Sequence, residues 1–166
     1  MNVLITGASA GFGKALAQRL VANGHRVIGC ARRIDKLNAL ADTLGEAFLP
    51  VVMDVSDTAA IPQIIADLPA NFSKIDVLVN NAGLALGTEP AQNASLDDWM
   101  RMTDTNIKGL MAVTHAVLPA MVARDSGYII NVGSIAGSWP YFGGNVYGAT
   151  KAFVKQFSLN LRADLI

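Results

Sequence analysis

Tyr147 and Lys151 stand four positions apart in the run VYGATK, and Ser134 lies thirteen positions before the tyrosine. Residues four apart on a helix share a face, with roughly 5–6 Å between their Cβ atoms. A free phenol loses its proton near a pH of about 10. An ammonium beside it favours the charged form. A phenol tuned in this way can donate or accept a proton near neutrality. The plainer reading is a surface pair without chemistry, because Tyr-x3-Lys arises by chance in many helices.

A second set of residues suits a phosphate-bearing ligand. TGASAGFG follows the first apolar run and opens the first helical one, with Gly7, Gly11 and Gly13 spaced G-x3-G-x-G. Glycines permit a tight turn and close approach to a pyrophosphate, and the helix N-terminus offers free N–H groups and a positive dipole. Ser9 adds a hydroxyl, and Phe12 belongs to the same candidate loop. A glycine-rich turn without a ligand is the alternative. The second apolar run ends in CARR. A carboxylate there would bind the ribose 2′-hydroxyl of NAD. Cys30 and Ala31 offer none, whereas Arg32 and Arg33 can grip a 2′-phosphate bidentately. NADP is therefore the cofactor expected. The alternative is two solvated arginines at a helix start, where the dipole disfavours cations. Asp54 and Val55, in MDVSD, suit an adenine amino group and the adenine ring; Asp54 suits a turn equally well, with Asp57 the better helix cap. Asn81, Ala82 and Gly83 in NNAG form a slim backbone against which a ribose can pack, or a polar turn.

These residues need a scaffold that gathers them. Short apolar runs alternate with helical patterns: NVLITG, HRVIGCA, AFLPVVMD, KIDVLVNNAG and GYIINVGS read as five strands. Between them GKALAQRLVANG, IDKLNALADTLG and TAAIPQIIADL read as helices, followed by a helix-rich stretch from about Leu96 to Arg124. A last helix starts near Asn145. Strand and helix in alternation with short turns predict a Rossmann-type doubly wound parallel sheet, in one domain over residues 1–166. Ser134 is expected at the end of the fifth strand, aimed at the same place as Tyr147. Trp139 and Tyr141 suit either a pocket wall or core packing. QFSLNLRADLI is still an amphipathic helix at Ile166, so C-terminal strands are expected to be missing from a truncated domain.

TGASAGFG, NNAG, TNIKG, Ser134 and YGATK together resemble the short-chain dehydrogenase/reductase family over the whole chain. The resemblance implies that Tyr147 is the proton donor or acceptor. It implies that Lys151 lowers the tyrosine's pKa and binds the nicotinamide ribose. It further implies that Ser134 holds the substrate oxygen and that Asn106 supports a water in a proton relay. NNAGLALGTEPA, GSWPYFGGNVYGATKAFVKQFSLNLR and GHRVIGCARR are similar to the family's bacterial NADP-dependent 3-hydroxy acid dehydrogenases. That likeness implies hydride transfer at C3 of serine, L-allo-threonine or 3-hydroxypropionate, or reduction of malonic semialdehyde. The alternatives are a non-catalytic NADP(H)-binding module and a reductase of other small carbonyl compounds. Ala10 stands where many NADP-using relatives carry a basic residue, which leaves NADP preference to Arg32 and Arg33. The family pairs helices between subunits, implying a homotetramer at full length.

Composition narrows the field. Hydrophobic residues make up 52% and charged ones 16%, and Lys+Arg balances Asp+Glu at 13 each. The low charge suits a sheet buried on both faces. No basic block points to nucleic acid and no charge run to a membrane surface. LMAVTHAVLPAMVA, broken by His115 and Pro119, is expected to be too short to span a bilayer. MNVLITG has no basic region before it and reads as a strand rather than a signal peptide. One cysteine, Cys30, allows no internal disulfide and suits a reducing, cytoplasmic setting. Cys30, His25 and His115 read as structural, and no metal site is expected.

Overall fold

The computed structural model describes residues 1–165. Five strands form one parallel sheet in the order β3-β2-β1-β4-β5: β1 Asn2–Thr6, β2 Arg26–Ala31, β3 Phe48–Val52, β4 Val77–Asn80 and β5 Tyr128–Asn131. The runs of β1, β2 and β4 are apolar almost throughout because the sheet is covered there on both faces, whereas Tyr128 and Ile130 of β5 stay exposed on one. Successive residues of β1 feed opposite cores. Leu4 joins Ile28, Leu78, Ile61 and Val117 on one side. Val3 and Ile5 join Ala17, Val27, Leu37 and Val79 on the other. Burying such a side chain contributes about 1.5–3 kcal/mol.

Parallel strands require crossovers, which here are helices. The first helix α1 spans Gly11–Ala22 and α2 Ile34–Leu44. After β3 the chain returns past β1 to lay down β4 on its far side. The winding therefore reverses between β1 and β4, and the crevice beyond their carboxyl ends is where an open α/β sheet takes a ligand.

The crossover between β3 and β4 differs from expectation. It breaks into α3, Ile61–Ala66, and α4, Ala70–Ser73, because Pro69 lies between them. Asp57 caps neither: the residue before α3 is Ala60, and the Asp57 N–H donates to the Asp54 carbonyl in a turn.

The helix-rich stretch is more continuous than expected. α5, Leu96–Thr103, runs through π-helical turns at Asp104–Gly109 into α6, Leu110–Ala123. That gives 28 helical residues, long and apolar enough to cross a membrane by length and composition. Pro119 sits inside α6 without ending it. The expectation of a short, broken segment is thus corrected. Val113, Val117 and Met121 spend its apolar face on the sheet. The last helix, α7, spans Asn145–Asp164.

Cys30 is buried in the core and its thiol is pushed up to about 12 by burial. Its folded pKa lies above the unfolded value, so the neutral thiol's contribution to stability is complete below a pH of about 9 and is lost as pH rises towards 12. Cys30 should resist iodoacetamide in the native protein and react only on unfolding, as read by mass spectrometry.

Candidate active site

The turn from β1 into α1 shapes the floor of a cleft. Gly7 has φ +70 and Gly11 φ +54, the left-handed region that side chains avoid. At Gly13 the reason is space: an added Cβ would lie 2.4 Å from the Gly7 carbonyl oxygen and 2.6 Å from Asn81 Nδ2. Helix α1 therefore meets the strand ends at backbone distance. The residue before α1, Ala10, supplies no side-chain cap, and the first turn holds no acid. Its N–H groups stay free for an anion.

Thr6 ties the next wall to this floor. Its Oγ1 accepts from the Asn81 and Ala82 N–H groups at 3.1 and 2.9 Å. Asn81 Nδ2 donates to the Thr6 and Gly7 carbonyls at 2.8 and 3.3 Å. Sequence reasoning passed over Thr6 as a site residue, because a contact over 75 positions leaves no local pattern.

The resulting cleft measures about 490 Å³. Gly7, Ser9, Gly11 and Phe12 line it from the turn, Arg32 and Arg33 from the end of β2, Asp54 and Val55 from the end of β3, and Asn81, Ala82 and Gly83 from the end of β4. Gly13 lies beneath the turn, outside the lining. Ala10, Ala31, Met53, Leu84 and Thr105 complete the walls; small or apolar for the most part, they carry no signal of their own. Each arginine is exposed and has one side-chain neighbour at the rim of the cleft. Arg33 Nη2 donates to Ser9 Oγ at 3.1 Å, and Arg32 Nη1 lies 3.9 Å from Asp54 Oδ2. Asp54 Oδ1 accepts from both the N–H and the hydroxyl of Ser56, at 2.9 and 2.7 Å. Partial burial raises the Asp54 pKa, but these two bonds and the Arg32 charge outweigh it and hold the carboxyl below its usual value.

Tyr147 and Lys151 lie on the first turns of α7. The Lys151 ammonium is 6.0 Å from the centre of the Tyr147 ring and donates to the Val132 carbonyl at 2.7 Å. Lys151 is only 8% exposed, and burial lowers its pKa. Ser134 departs from expectation. β5 ends at Asn131, and Ser134 opens a tight turn at Ile135–Gly137, where its Oγ accepts from the Ala136 N–H. That turn presses on α7: a Cβ at Gly137 would lie 2.6 Å from the Lys151 carbonyl carbon, and one at Gly148 would lie 2.9 Å from the Ala136 oxygen. Ser134 thus reaches the helix through a turn rather than along the strand. Trp139 and Tyr141 are exposed, at 74% and 52%, which removes core packing as their role. They border a second cavity with Gly144 and Ala149.

Asn106 sits in the π-helical turns and is buried. Its Oδ1 accepts from the Leu84 N–H at 2.9 Å, and its Nδ2 donates to the Leu84 carbonyl at 2.9 Å and to Thr150 Oγ1 at 3.1 Å. Thr150 in turn donates to the Tyr147 carbonyl at 2.8 Å. Below this level Asn80 Nδ2 donates to Thr114 Oγ1 and Asn131 Oδ1, both at 2.9 Å. The cleft and the tyrosine–lysine pair meet at Gly83. A Cβ there would stand 3.3 Å from Asn106 Oδ1 and 3.6 Å from Lys151 Nζ.

Known proteins share this arrangement. The chain is 64% identical over 165 residues to the NADP-dependent 3-hydroxy acid dehydrogenase YdfG of Salmonella typhi, and 55% identical over 164 residues to the serine 3-dehydrogenase of Rhizobium radiobacter. In each case 99% of this chain covers 66% of the relative. The chain therefore spans about two thirds of the length of the curated relatives it matches. The crystal structure of serine dehydrogenase from Escherichia coli superposes with a TM-score of 0.97 at 59% identity, over 99% of this chain and 76% of that one. A closed form of serine dehydrogenase complexed with NADP+ gives 0.98 at 59% identity, over 99% and 66%. The family model described as short chain dehydrogenase matches residues 1–166. A sheet that reverses at β1 and β4, a cleft at that reversal and a tyrosine–lysine pair at the cleft's edge thus accompany a match along the whole chain, which belongs to the short chain dehydrogenase family.

Proposed function

We infer that the full-length protein moves hydride between NADP(H) and C3 of a short 3-hydroxy acid, of the serine, L-allo-threonine and 3-hydroxypropionate class. The observation that carries this reading is the junction at Gly83, where a cleft of about 490 Å³ runs up to a buried lysine and its neighbouring phenol. The names of the relatives support the cofactor and the substrate class.

The residues of the cleft fit a dinucleotide phosphate. Free N–H groups at the start of α1 suit the pyrophosphate. Arg32 and Arg33 suit a 2′-phosphate, with Ser9 holding Arg33 in place. Gly83 leaves room for a ribose beside Lys151. When bound, the nicotinamide supplies the hydride chemistry. The chain supplies the rest. Tyr147 gives its hydroxyl proton to the substrate oxygen in reduction and takes it back in oxidation. Lys151 favours the charged phenol and donates to the ribose. Ser134 orients the substrate oxygen. Asn106 acts as a positioning residue through Leu84 and through Thr150. The reading extends to a cytoplasmic homotetramer, supported by exposed apolar side chains on α6 and α7 such as Met111, Val122 and Leu159.

The test is NADPH oxidation by the full-length protein with malonic semialdehyde against a panel of short aldehydes and ketones. Preferential turnover of the semialdehyde is expected. NADPH binding without turnover on any of them would replace the reading with a binding module. Arg32→Ala and Arg33→Ala should each weaken NADPH binding by about tenfold to a hundredfold, since a charge-assisted hydrogen bond contributes about 1.5–3 kcal/mol. NADH binding, measured by the same fluorescence titration, should change little.

A further inference from the structure

The start of α7 carries a device that the proposed reaction does not by itself require. Gly144 precedes the helix and has no side chain to cap it. Asn145, the first helical residue, takes over that task and two others. Its Oδ1 accepts from the Val146 N–H at 2.8 Å and from the indole Nε1–H of Trp99 at 3.0 Å. Its Nδ2 donates to the Glu89 carbonyl at 3.2 Å. One amide thus joins α5, the segment between β4 and α5, and the first turn of α7. Nearby backbones close the same seam: a Cβ at Gly143 would lie 2.3 Å from the Thr88 carbonyl oxygen. The segment from Leu84 to Ser95 is held at its other end by the Asn106 bonds to Leu84. Tyr147 lies two residues after Asn145, on the turn so fixed.

We propose that Asn145, with Trp99 as its partner, is a positioning residue that sets the direction of the Tyr147 hydroxyl. The first four N–H groups of a helix have no partner within it, and an uncapped first turn frays. A phenol on a fraying turn spends time away from the line between donor and substrate oxygen, and small misplacements of a reacting group reduce rate steeply. Without the amide, the tyrosine keeps its chemistry but loses its aim. The proposal rests on the reading of Tyr147 as the acid/base given above.

The experiment compares Asn145→Leu, Trp99→Phe and the double variant with the unchanged full-length protein. It measures kcat and KM with malonic semialdehyde, NADPH affinity by fluorescence, and backbone hydrogen exchange over residues 146–150. Asn145→Leu is expected to lower kcat by about tenfold or more, with KM and NADPH affinity within about twofold. Trp99→Phe should shift kcat the same way, and the double variant should be no worse than Asn145→Leu, since both remove one linkage. Unchanged kcat, additive losses, or kcat and NADPH affinity falling together would each overturn the proposal. If the unchanged protein shows no turnover, the dehydrogenase reading fails separately. The exchange data then decide: faster exchange at 146–150 in Asn145→Leu upholds the clamp, and unchanged exchange overturns it.

Discussion

Tyr147→Phe in the full-length protein should lower kcat by about 10²–10⁴-fold while NADPH still binds. Phenylalanine keeps the ring that lies 6.0 Å from the Lys151 ammonium, so packing on α7 is retained. Only the hydroxyl is lost, and with it the sole proton in the proposed step. The hydride acceptor carbon would then have to gain its hydride while the oxygen carries an unneutralised negative charge. Stopped-flow NADPH oxidation at saturating substrate measures the loss. Thermal unfolding and NADPH fluorescence on the same sample establish that fold and cofactor site are intact. A folded variant with the original rate would remove Tyr147 from the chemistry.

Gly13→Val should abolish dinucleotide binding and destabilise the domain by about 1–3 kcal/mol or more. The Cβ position lies 2.4 Å from the Gly7 oxygen, 2.6 Å from Asn81 Nδ2 and 2.9 Å from the Gly7 carbonyl carbon. Two of these three atoms are backbone. They belong to a turn that is itself pinned, since Asn81 Nδ2 donates to the Thr6 and Gly7 carbonyls. A rotamer change cannot relieve the clash. Relief requires α1 to back away from the Gly7 turn, which widens the floor of the cleft. Urea unfolding followed by circular dichroism gives the stability change, and fluorescence titration gives the binding. Gly24→Ala, past the end of α1, separates the two causes: nothing lies within 4 Å of its Cβ position, so its cost comes from the left-handed φ of +80 alone and dinucleotide binding should be kept.

Much of this arrangement is legible along the chain because the signals are local. Apolar runs such as NVLIT, the spacing of Gly7, Gly11 and Gly13, and the four-residue step from Tyr147 to Lys151 each occupy a few consecutive positions. Each follows from the geometry of one strand, turn or helix. Arg32 and Arg33 were legible for the same reason, at the end of one strand. What the sequence hides is contact between distant segments. The Thr6 hydroxyl serves Asn81 and Ala82, and the Asn145 amide serves Trp99 and Glu89. No periodicity marks a residue whose partner lies tens of positions away. Ser134 shows a third case. The apolar run leading to it suggested strand, but pairing with β4 stops at Asn131, and the serine hydroxyl then holds a turn instead. Asp57 failed as a cap because Pro62 and the turn at Asp54 moved the helix start downstream.

Lys151 also carries a meaning outside the reaction. The residue is buried, and among the described residues its ammonium has one hydrogen-bond partner, the Val132 carbonyl. Burial pulls its pKa down, because the charged ammonium has lost part of the hydration that favours it in water. Such a residue lowers the stability of the domain that houses it. If Tyr147 is the acid/base proposed above, selection for a robust fold and selection for a working phenol act on this one position in opposite directions. In a lineage that abandoned the reaction, this lysine would be among the first residues whose loss improved the protein.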